Sequence, residues 1–497
     1  MLKIVWLFCC AFYLSPMLVG APQNIEQIRS LLPAFEQQIK EGMKETHVPG
    51  VVVAIILDNQ VVYMKGFGVR KVGENVLVDP QTVFQVASVS KPITTTVIAA
   101  LVAEQVVEWD SCVNTLDPSF QLQDPWITSQ VTLKDFLSHR GGLPDHAGDL
   151  LEDVGFDQSS ILYKLRFAPL TQFRAQYAYT NFGFTEAALA AAKAAHLSWD
   201  ELVYQKLIAP LGLTSTSTRY ADFIKRANRA DLHVIRGNVA KSLYKRNPDA
   251  QSPAGGISTN MQDFTKWMTL QIAEGEYQGT QMISQEAVKQ THLPAITRGE
   301  NQFYGLGWNV SYNHRGNPVV SHLGLFDLGT EASVHLIPNE KFGIAVFVNA
   351  SRTGLAEAII SIFKDLRETG RVEKQWVSIW RERFHMVFSD PVDSFSAPLN
   401  ASPPLPFRAY TGNYANDYFG EITIFDKEGK LYLAVGPKPE KFLLTSLNRD
   451  TFSFETQGEN SSGLTQLIFT VDGAGVASQL SIEAFNKNGL GVFQKIP

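Results

Sequence analysis

Apolar and polar positions alternate with two different periods along this chain, and the changeover points mark its elements. From Ile25 to Thr46, Ile28, Leu31, Leu32, Phe35, Ile39 and Met43 form the stripe of an amphipathic helix. Val51 to Leu57 and Val61 to Val69 are β-rich runs joined through Asp58-Asn59-Gln60, which predicts a hairpin. From Ser88 to Gln105, Val89, Ile93, Val97, Ile98, Leu101 and Val102 return to helical spacing. Leu133 to Leu137 reads as a short helix, and helical segments dominate from Ser159 to Leu211. A further helix is predicted from Met261 to Glu274, with Thr259 or Asn260 as its cap. Strand character returns at Val319 to His322, Ala332 to Ile337 and Phe342 to Asn349, and Leu355 to Glu368 is a last amphipathic helix. This order predicts an α+β unit: a five-stranded antiparallel sheet flanked by helices, with a helical subdomain inserted.

The pattern changes after a stretch holding Pro391, Pro398, Pro403, Pro404 and Pro406, which reads as a linker over residues 389–406. Beyond it, Glu421 to Phe425, Lys430 to Val435, Phe442 to Leu447, Thr451 to Glu455, Thr465 to Val471 and Ala477 to Phe485 are short strands between turn residues. They predict a small β-barrel or sandwich over 407–497. The main unit then occupies residues 21–388.

Composition narrows the picture. The 497 residues carry a formal net charge of -6 and no long charge run, so nothing suggests a nucleic-acid footprint. At the start, Lys3 precedes a mostly apolar run from Ile4 to Tyr13, followed by Ser15, Pro16, Gly20 and Ala21. That run predicts an export signal over residues 1–20 rather than a membrane span, and hence a periplasmic or secreted protein. A retained anchor is the alternative. Cys9 and Cys10 would leave with the signal, and Cys112 alone offers neither an intrachain disulfide nor a cysteine-based metal site.

Candidate chemistry begins at Ser88 and Lys91. On one helix face three residues apart, an amine reaches back to a hydroxyl at the helix start, next to free backbone N–H groups. Pro92 fits the first turn, where its missing N–H leaves no bond unmade. Alone, the pair also reads as a capping serine and a surface lysine. Tyr179-Thr180-Asn181 precedes a helix, and His322-Leu323-Gly324 ends a predicted strand. A phenol between cationic groups can have its pKa lowered toward the working pH. His139, Asp145 and His146 lie close in sequence, but no further residue has metal-site spacing, so no metal or organic cofactor is expected.

Together the three pieces resemble the serine β-lactamases of class C, the penicillin-binding D,D-peptidases and related esterases and D-aminopeptidases, over about Ile25 to Gly370. The resemblance implies that Ser88 is acylated, that Lys91 helps remove its proton, and that Tyr179 shuttles protons. It implies that Asn181 orients substrate amide, that Gly324 admits substrate close to the backbone, and that the N–H groups of Ser88 and Leu325 form an oxyanion hole. His322 would assist deacylation. Leu137 to Pro144, Pro253 to Gly256 and Tyr304-Gly305-Leu306-Gly307-Trp308 are supporting matches, read as architectural. The C-terminal module is similar to the lipocalin-like domain of some D-aminopeptidase relatives, which can lie over the active site and restrict substrate length.

Three departures stand out: His322 replaces a lysine, Leu323 a threonine or serine, and Phe173-Arg174-Ala175-Gln176 a Pro-Gly turn. A neutral imidazole and a leucine hold a substrate carboxylate less well, which argues against efficient penicillin or cephalosporin hydrolysis. The expectation is therefore an exported serine hydrolase acting on a small peptide, amide or ester. A β-lactamase or D,D-carboxypeptidase in cell-wall metabolism is the first alternative, and a catalytically silent scaffold the second. No nucleic-acid partner is expected, and the sequence leaves oligomerisation open.

Overall fold

A computed structural model describes residues 24–388 and 394–497. The expected signal over 1–20 and the first part of the expected linker, 389–393, lie outside the described residues.

Helix α1 (Ile25–Thr46) starts at Asn24, whose side chain closes a capping box with Gln27. Strands β1 (Gly50–Leu57) and β2 (Gln60–Gly68) form the hairpin. Helix α2 (Ser90–Ala103) follows, and the helical subdomain contains α3 (Asp149–Asp153) and α4 (Asn181–Ala194). Helix α5 (Met261–Ile272) leads back to the sheet strands β3 (Pro318–Phe326), β4 (Thr330–Ile337) and β5 (Phe342–Val348). Helices α6 (Leu355–Thr369) and α7 (Trp376–Val387) complete the unit.

The five expected strands are contiguous in the order β2-β1-β5-β4-β3, all antiparallel. The sheet then continues through the shorter strands Asn309–Tyr312, Gln302–Tyr304 and Ile296–Gly299. Strand β1 is buried along its whole length. Its alternate side chains serve two cores: Val51, Val53 and Ile55 meet α1 and α6, whereas Val52, Ala54 and Ile56 face α2, α5 and the helical subdomain. A sheet covered on both faces needs this continuous apolar run.

Helix α2 is buried from Ser90 to Leu101, apolar and polar positions alike, which marks it as a core helix rather than a surface one. Its hydroxyls are satisfied inside. Ser90 Oγ accepts from the Ile257 amide at 2.9 Å, and Thr94 Oγ1 donates to the Pro253 carbonyl at 2.7 Å. The 252–257 segment is thereby fixed against the start of α2.

The C-terminal module is a nearly closed antiparallel barrel of nine strands. The expected Phe442–Leu447 run is two strands, Glu440–Leu443 and Thr445–Asn448, which form the two ends of the ladder. Phe442 on one end strand and Phe454 on Thr451–Glu455, the neighbour of the other, have ring centroids 5.2 Å apart and bring the two sides together. Gly412–Asn416 and Val492–Ile496, which the periodicity did not single out, pair with each other in the middle. Among the described residues, no helix is long and apolar enough to cross a membrane.

Candidate active site

Ser88 sits in a single 3-10 turn, Ala87–Val89, between the short strand Phe84–Gln85 and α2. The turn is tight enough that Ala87 adopts φ +46, a left-handed conformation uncommon for a residue with a side chain. Lys91, one turn on, is completely buried. Its Nζ lies 3.1 Å from Ser88 Oγ, 2.8 Å from Asn181 Oδ1 and 3.1 Å from the carbonyl oxygen of Ala254. Burial lowers the Lys91 pKa to about 7, although the Asp149 carboxylate pulls it the other way. In its neutral form the amine has two N–H groups and one lone pair. Asn181 and Ala254 take the two protons, and the lone pair is left for the Ser88 hydroxyl.

Tyr179 Oη donates to Ser88 Oγ at 2.7 Å from the other side, and its ring lies under the Lys91 amine, 4.5 Å from Nζ. The sequence argument for a lowered phenol pKa does not hold. Burial pushes Tyr179 up, because ionising it would place an anion in an apolar surround. The perturbation toward neutrality falls on Lys91 instead, so an amine lowered toward neutral pH and a protonated phenol flank a single hydroxyl.

His322 is buried and has a different set of neighbours. Its Nδ1 donates to the Leu323 carbonyl at 2.8 Å, so Nε2 is the acceptor for the Tyr304 hydroxyl at 3.0 Å. Burial and the nearby Lys91 lower its pKa to about 3, leaving a neutral imidazole. Tyr304, read from sequence as architectural, is thus the hydrogen-bond partner of His322. His139 is likewise buried and neutral. Its Nδ1 accepts from the Thr180 amide at 3.2 Å, and its ring stacks 4.4 Å from that of Tyr179.

Strand β3 passes directly over the turn that carries Ser88. A Cβ on Gly324 would sit 2.1 Å from the Val86 carbonyl oxygen and 3.1 Å from the Ser88 nitrogen, so only glycine permits this approach. Leu325 follows on the same strand. On its outer side β3 pairs with Asn309–Tyr312 only from Pro318 to Ser321, so the edge from His322 to Phe326 has no strand partner there. The loop at Phe173 to Gln176 has its own anchor: Arg174 pairs at 2.8 Å with the fully buried Asp135, which also holds Arg140.

Sequence reasoning missed Asp149. Its Oδ2 accepts from Asn181 Nδ2 at 3.0 Å and from His146 Nδ1 at 2.7 Å, and its side chain is buried. His146 and Asp149 are three residues apart, a spacing visible in the sequence but without a motif to single it out. Asp145, the third member of that group, accepts from the Tyr179 amide at 2.9 Å. Among the described residues, no cluster of three or more His, Cys, Asp or Glu has metal-binding geometry.

The barrel reaches this region. Its 456–463 loop contributes Asn460, whose Nδ2 donates to the Asp149 carbonyl at 3.3 Å, and the amides of Glu459 and Asn460, which donate to Asp153 at 3.1 and 2.8 Å. Tyr418 Oη accepts from the Gly148 amide at 2.8 Å. Glu459 also accepts from the Asp327 amide, just past β3, at 2.6 Å.

A helix-flanked antiparallel sheet with a serine and a lysine at the start of the buried helix defines a β-lactamase and penicillin-binding-protein-like fold. The chain belongs to the Beta-lactamase family, whose profile matches residues 35–363. A second profile, described as Domain of unknown function (DUF3471), matches residues 396–491. Unguisins hydrolase ungD' of Aspergillus campestris (strain IBT 28561) is 28% identical over 439 residues, covering 80% of this chain and 79% of that one. Unguisins hydrolase ungD of Aspergillus violaceofuscus (strain CBS 115571) is 24% identical over 448 residues, covering 80% and 77%. Protein flp of Staphylococcus aureus (strain COL) is 21% identical over 321 residues, covering 63% and 61%. The octameric penicillin-binding protein homologue from Pyrococcus abyssi shares the fold, with a TM-score of 0.61 at 20% identity, over 93% of this chain and 100% of that one. Family membership and the hydrolase names of the two Aspergillus relatives support a hydrolase.

Proposed function

We propose that this chain is an exported serine hydrolase that cleaves amide or ester bonds of small substrates through an acyl-enzyme on Ser88. The observation that carries the reading is the buried Lys91 amine, with a pKa of about 7, set 3.1 Å from Ser88 Oγ. A general base works best when its pKa lies near the operating pH. Lys91 takes the Ser88 proton as Oγ attacks the carbonyl carbon, and the amides of Ser88 and Leu325 receive the oxyanion. Tyr179, kept protonated by burial, gives its proton to the leaving group and regains one from the lysine. Water then attacks the acyl carbon and gives its proton to the now neutral Lys91, which returns it to Ser88 Oγ as the C–O bond to the enzyme breaks. His322, expected to assist deacylation, has Nε2 bonded to Tyr304 and Nδ1 to the Leu323 carbonyl, so its part is to shape the wall of the site.

Within this class, a peptidase or esterase activity is favoured over β-lactam hydrolysis. His322 is neutral and occupied by Tyr304, and Leu323 has no hydroxyl, so the third motif supplies no fixed cation for a β-lactam carboxylate. The two relatives named as unguisins hydrolases, each matched over most of its length, support a hydrolase. The barrel loop bonded to α3 supports a restriction to small substrates.

Intact-protein mass spectrometry after exposure to a fluorophosphonate, penicillin, short esters and D-aminoacyl amides tests the reading, with Ser88→Ala alongside. The expected result is a fluorophosphonate adduct and ester or amide turnover that Ser88→Ala abolishes, with slow penicillin turnover. Undiminished turnover in Ser88→Ala would overturn the mechanism, and no adduct or turnover with any probe would favour a scaffold. N-terminal sequencing of the mature protein tests export, since a chain still beginning at Met1 refutes cleavage.

A further inference from the structure

Asn181 is an amide whose two ends are chemically different, and the site depends on which way it faces. Its oxygen must meet Lys91, because a neutral amine that donates to Asn181 and Ala254 keeps its lone pair for Ser88. A flipped amide would present N–H to the amine and compete for that lone pair. The Asp149 carboxylate decides the orientation, since it can only accept, and it takes Asn181 Nδ2 at 3.0 Å. Asp149 is itself oriented by His146, whose Nδ1 donates to the same oxygen at 2.7 Å.

We propose that Asp149 is a positioning residue for the nucleophile's base: held by His146, its carboxylate fixes the Asn181 amide with the oxygen on Lys91 and places a charge two hydrogen bonds from the amine. The inference rests on Ser88 being the nucleophile. Geometry carries it, through a buried acceptor-only group two hydrogen bonds from Lys91 Nζ. The barrel holds the same segment at the Asp149 carbonyl through Asn460 and at the Gly148 amide through Tyr418. The electrostatics agree in sign, because Asp149 raises the Lys91 pKa against the burial that lowers it.

The charged and titratable groups around this carboxylate come from several elements. His146 and Asp145 precede α3, and Asp153 lies at its end. Lys91 faces Asp149 from α2, Tyr179 from the segment before α4, and Tyr418 from the barrel. Lys487 of the barrel stands 3.9 Å from Asp145. Two neutral imidazoles, His139 and His322, also surround Lys91, and beyond them Tyr177 and the Arg298 guanidinium, 5.0 Å from the Tyr177 ring, act on Tyr179. Burial lowers the His146 pKa, but the bond to Asp149 and the charges of Asp149 and Asp145 outweigh it, so the net direction is upward.

Opposite shifts follow from the two members of the pair. Asp149→Asn keeps an oxygen for Asn181 but removes the charge, which lowers the Lys91 pKa and moves the ascending limb of the pH profile down by about half a pH unit or more. His146→Gln keeps a donor for Asp149 but removes a ring that can take up a proton beside the carboxylate, which moves the limb up. Asp149→Ala, lacking any acceptor for Asn181, lowers the plateau rate about tenfold, the worth of one such hydrogen bond.

The experiment measures the rate of Ser88 phosphonylation by a fluorophosphonate, in which Oγ attacks phosphorus and fluoride leaves, between pH 5 and 9, by intact-protein mass spectrometry on the full chain and each variant. Shifts of opposite sign in Asp149→Asn and His146→Gln support the assignment. Limbs that stay in place, or move together, overturn it even when the rates fall, because a merely structural role lowers rates without moving a limb. Should Asp149→Asn fail to fold, the half-exposed His146 carries the test, and an unmoved limb in His146→Gln overturns the proposal. A wild-type chain not labelled at Ser88 removes the reading on which the proposal stands, and that outcome is distinct from labelling with an unmoved limb.

Discussion

Lys91 Nζ and Ser88 Oγ stand 3.1 Å apart, with the amine fully enclosed and the hydroxyl partly open to the cleft. The lysine is therefore shielded from solvent while the atom it serves is accessible. Because its pKa is lowered to about 7 by burial, the reactive neutral form accumulates as pH rises through that value. Acylation should rise about tenfold per pH unit below the midpoint and level off above it. Replacing Lys91 with methionine, which preserves the stem but not the base, should lower kcat/KM by about 10²- to 10⁴-fold and abolish the limb. A pH series of ester hydrolysis rates checks both outcomes.

Tyr179 gives a contrasting expectation. Burial keeps the phenol protonated far above neutrality, so it acts as a donor to Ser88 Oγ and adds no descending limb near neutral pH. Tyr179→Phe should lower kcat by about 10²-fold or more and leave the ascending limb where Lys91 puts it. The pH profile of the variant separates this role from that of a second base, since a base at Tyr179 would remove or displace the limb.

Much of the candidate site's arrangement was legible because its residues are local in sequence. Ser88 and Lys91 share one helical turn, Tyr179 and Asn181 flank the start of α4, and His322 and Gly324 lie on one strand. The partners of these residues were not legible, for a reason of topology. Tyr304 meets His322 from a strand two places away in the sheet, and Asp149 reaches Asn181 from a short helix that begins 32 residues earlier. Ala254, read as part of a turn, contributes a backbone oxygen that no side-chain pattern can announce.

The fold shows the same division. Strand β1 stands out as an unbroken apolar run because it is covered on both faces. Helix α7 has almost no fully buried position apart from Phe384, and its arginines and tryptophans blur the stripe. It is held by polar anchors such as the Trp380 indole on Ser361 at 2.9 Å. Gly412–Asn416 and Val492–Ile496 are short, and their pairing joins opposite ends of the barrel sequence.

The close passage of β3 over the Ser88 turn makes Gly324 the most space-limited position of the site. An alanine there would bring its Cβ 2.1 Å from the Val86 carbonyl, so strand or turn must move. Overpacking of this kind costs about 1–3 kcal/mol. The displaced groups include the backbone that would receive the oxyanion. Gly324→Ala should therefore lower the urea midpoint and also slow Ser88 labelling by more than the fraction unfolded accounts for. Equal labelling rates in folded wild type and variant would detach Gly324 from the chemistry.

Arg246 ties the barrel to the catalytic unit, and its removal should be among the most destabilising changes there. The guanidinium is buried, donates to Glu152 at 2.7 Å, lies 3.8 Å from Glu459 of the barrel loop, and covers the Phe326 ring at 5.1 Å. Glu459 is pushed well above the usual carboxylate range by burial, with Asp327 and Asp153 adding repulsion and Arg246 opposing both. Arg246→Met keeps an apolar stem but leaves two buried carboxyl groups without their cation, a loss of about 3–5 kcal/mol. The pH dependence has a definite sign. A carboxyl whose folded pKa is raised favours the folded state at low pH, and that contribution is lost as pH rises through the folded value. Without Arg246 the Glu459 pKa rises further, so the defect should be larger at pH 8 than at pH 5. Adding Glu459→Gln to Arg246→Met should recover part of the stability at pH 8 and little at pH 5, as measured by urea unfolding of the full chain.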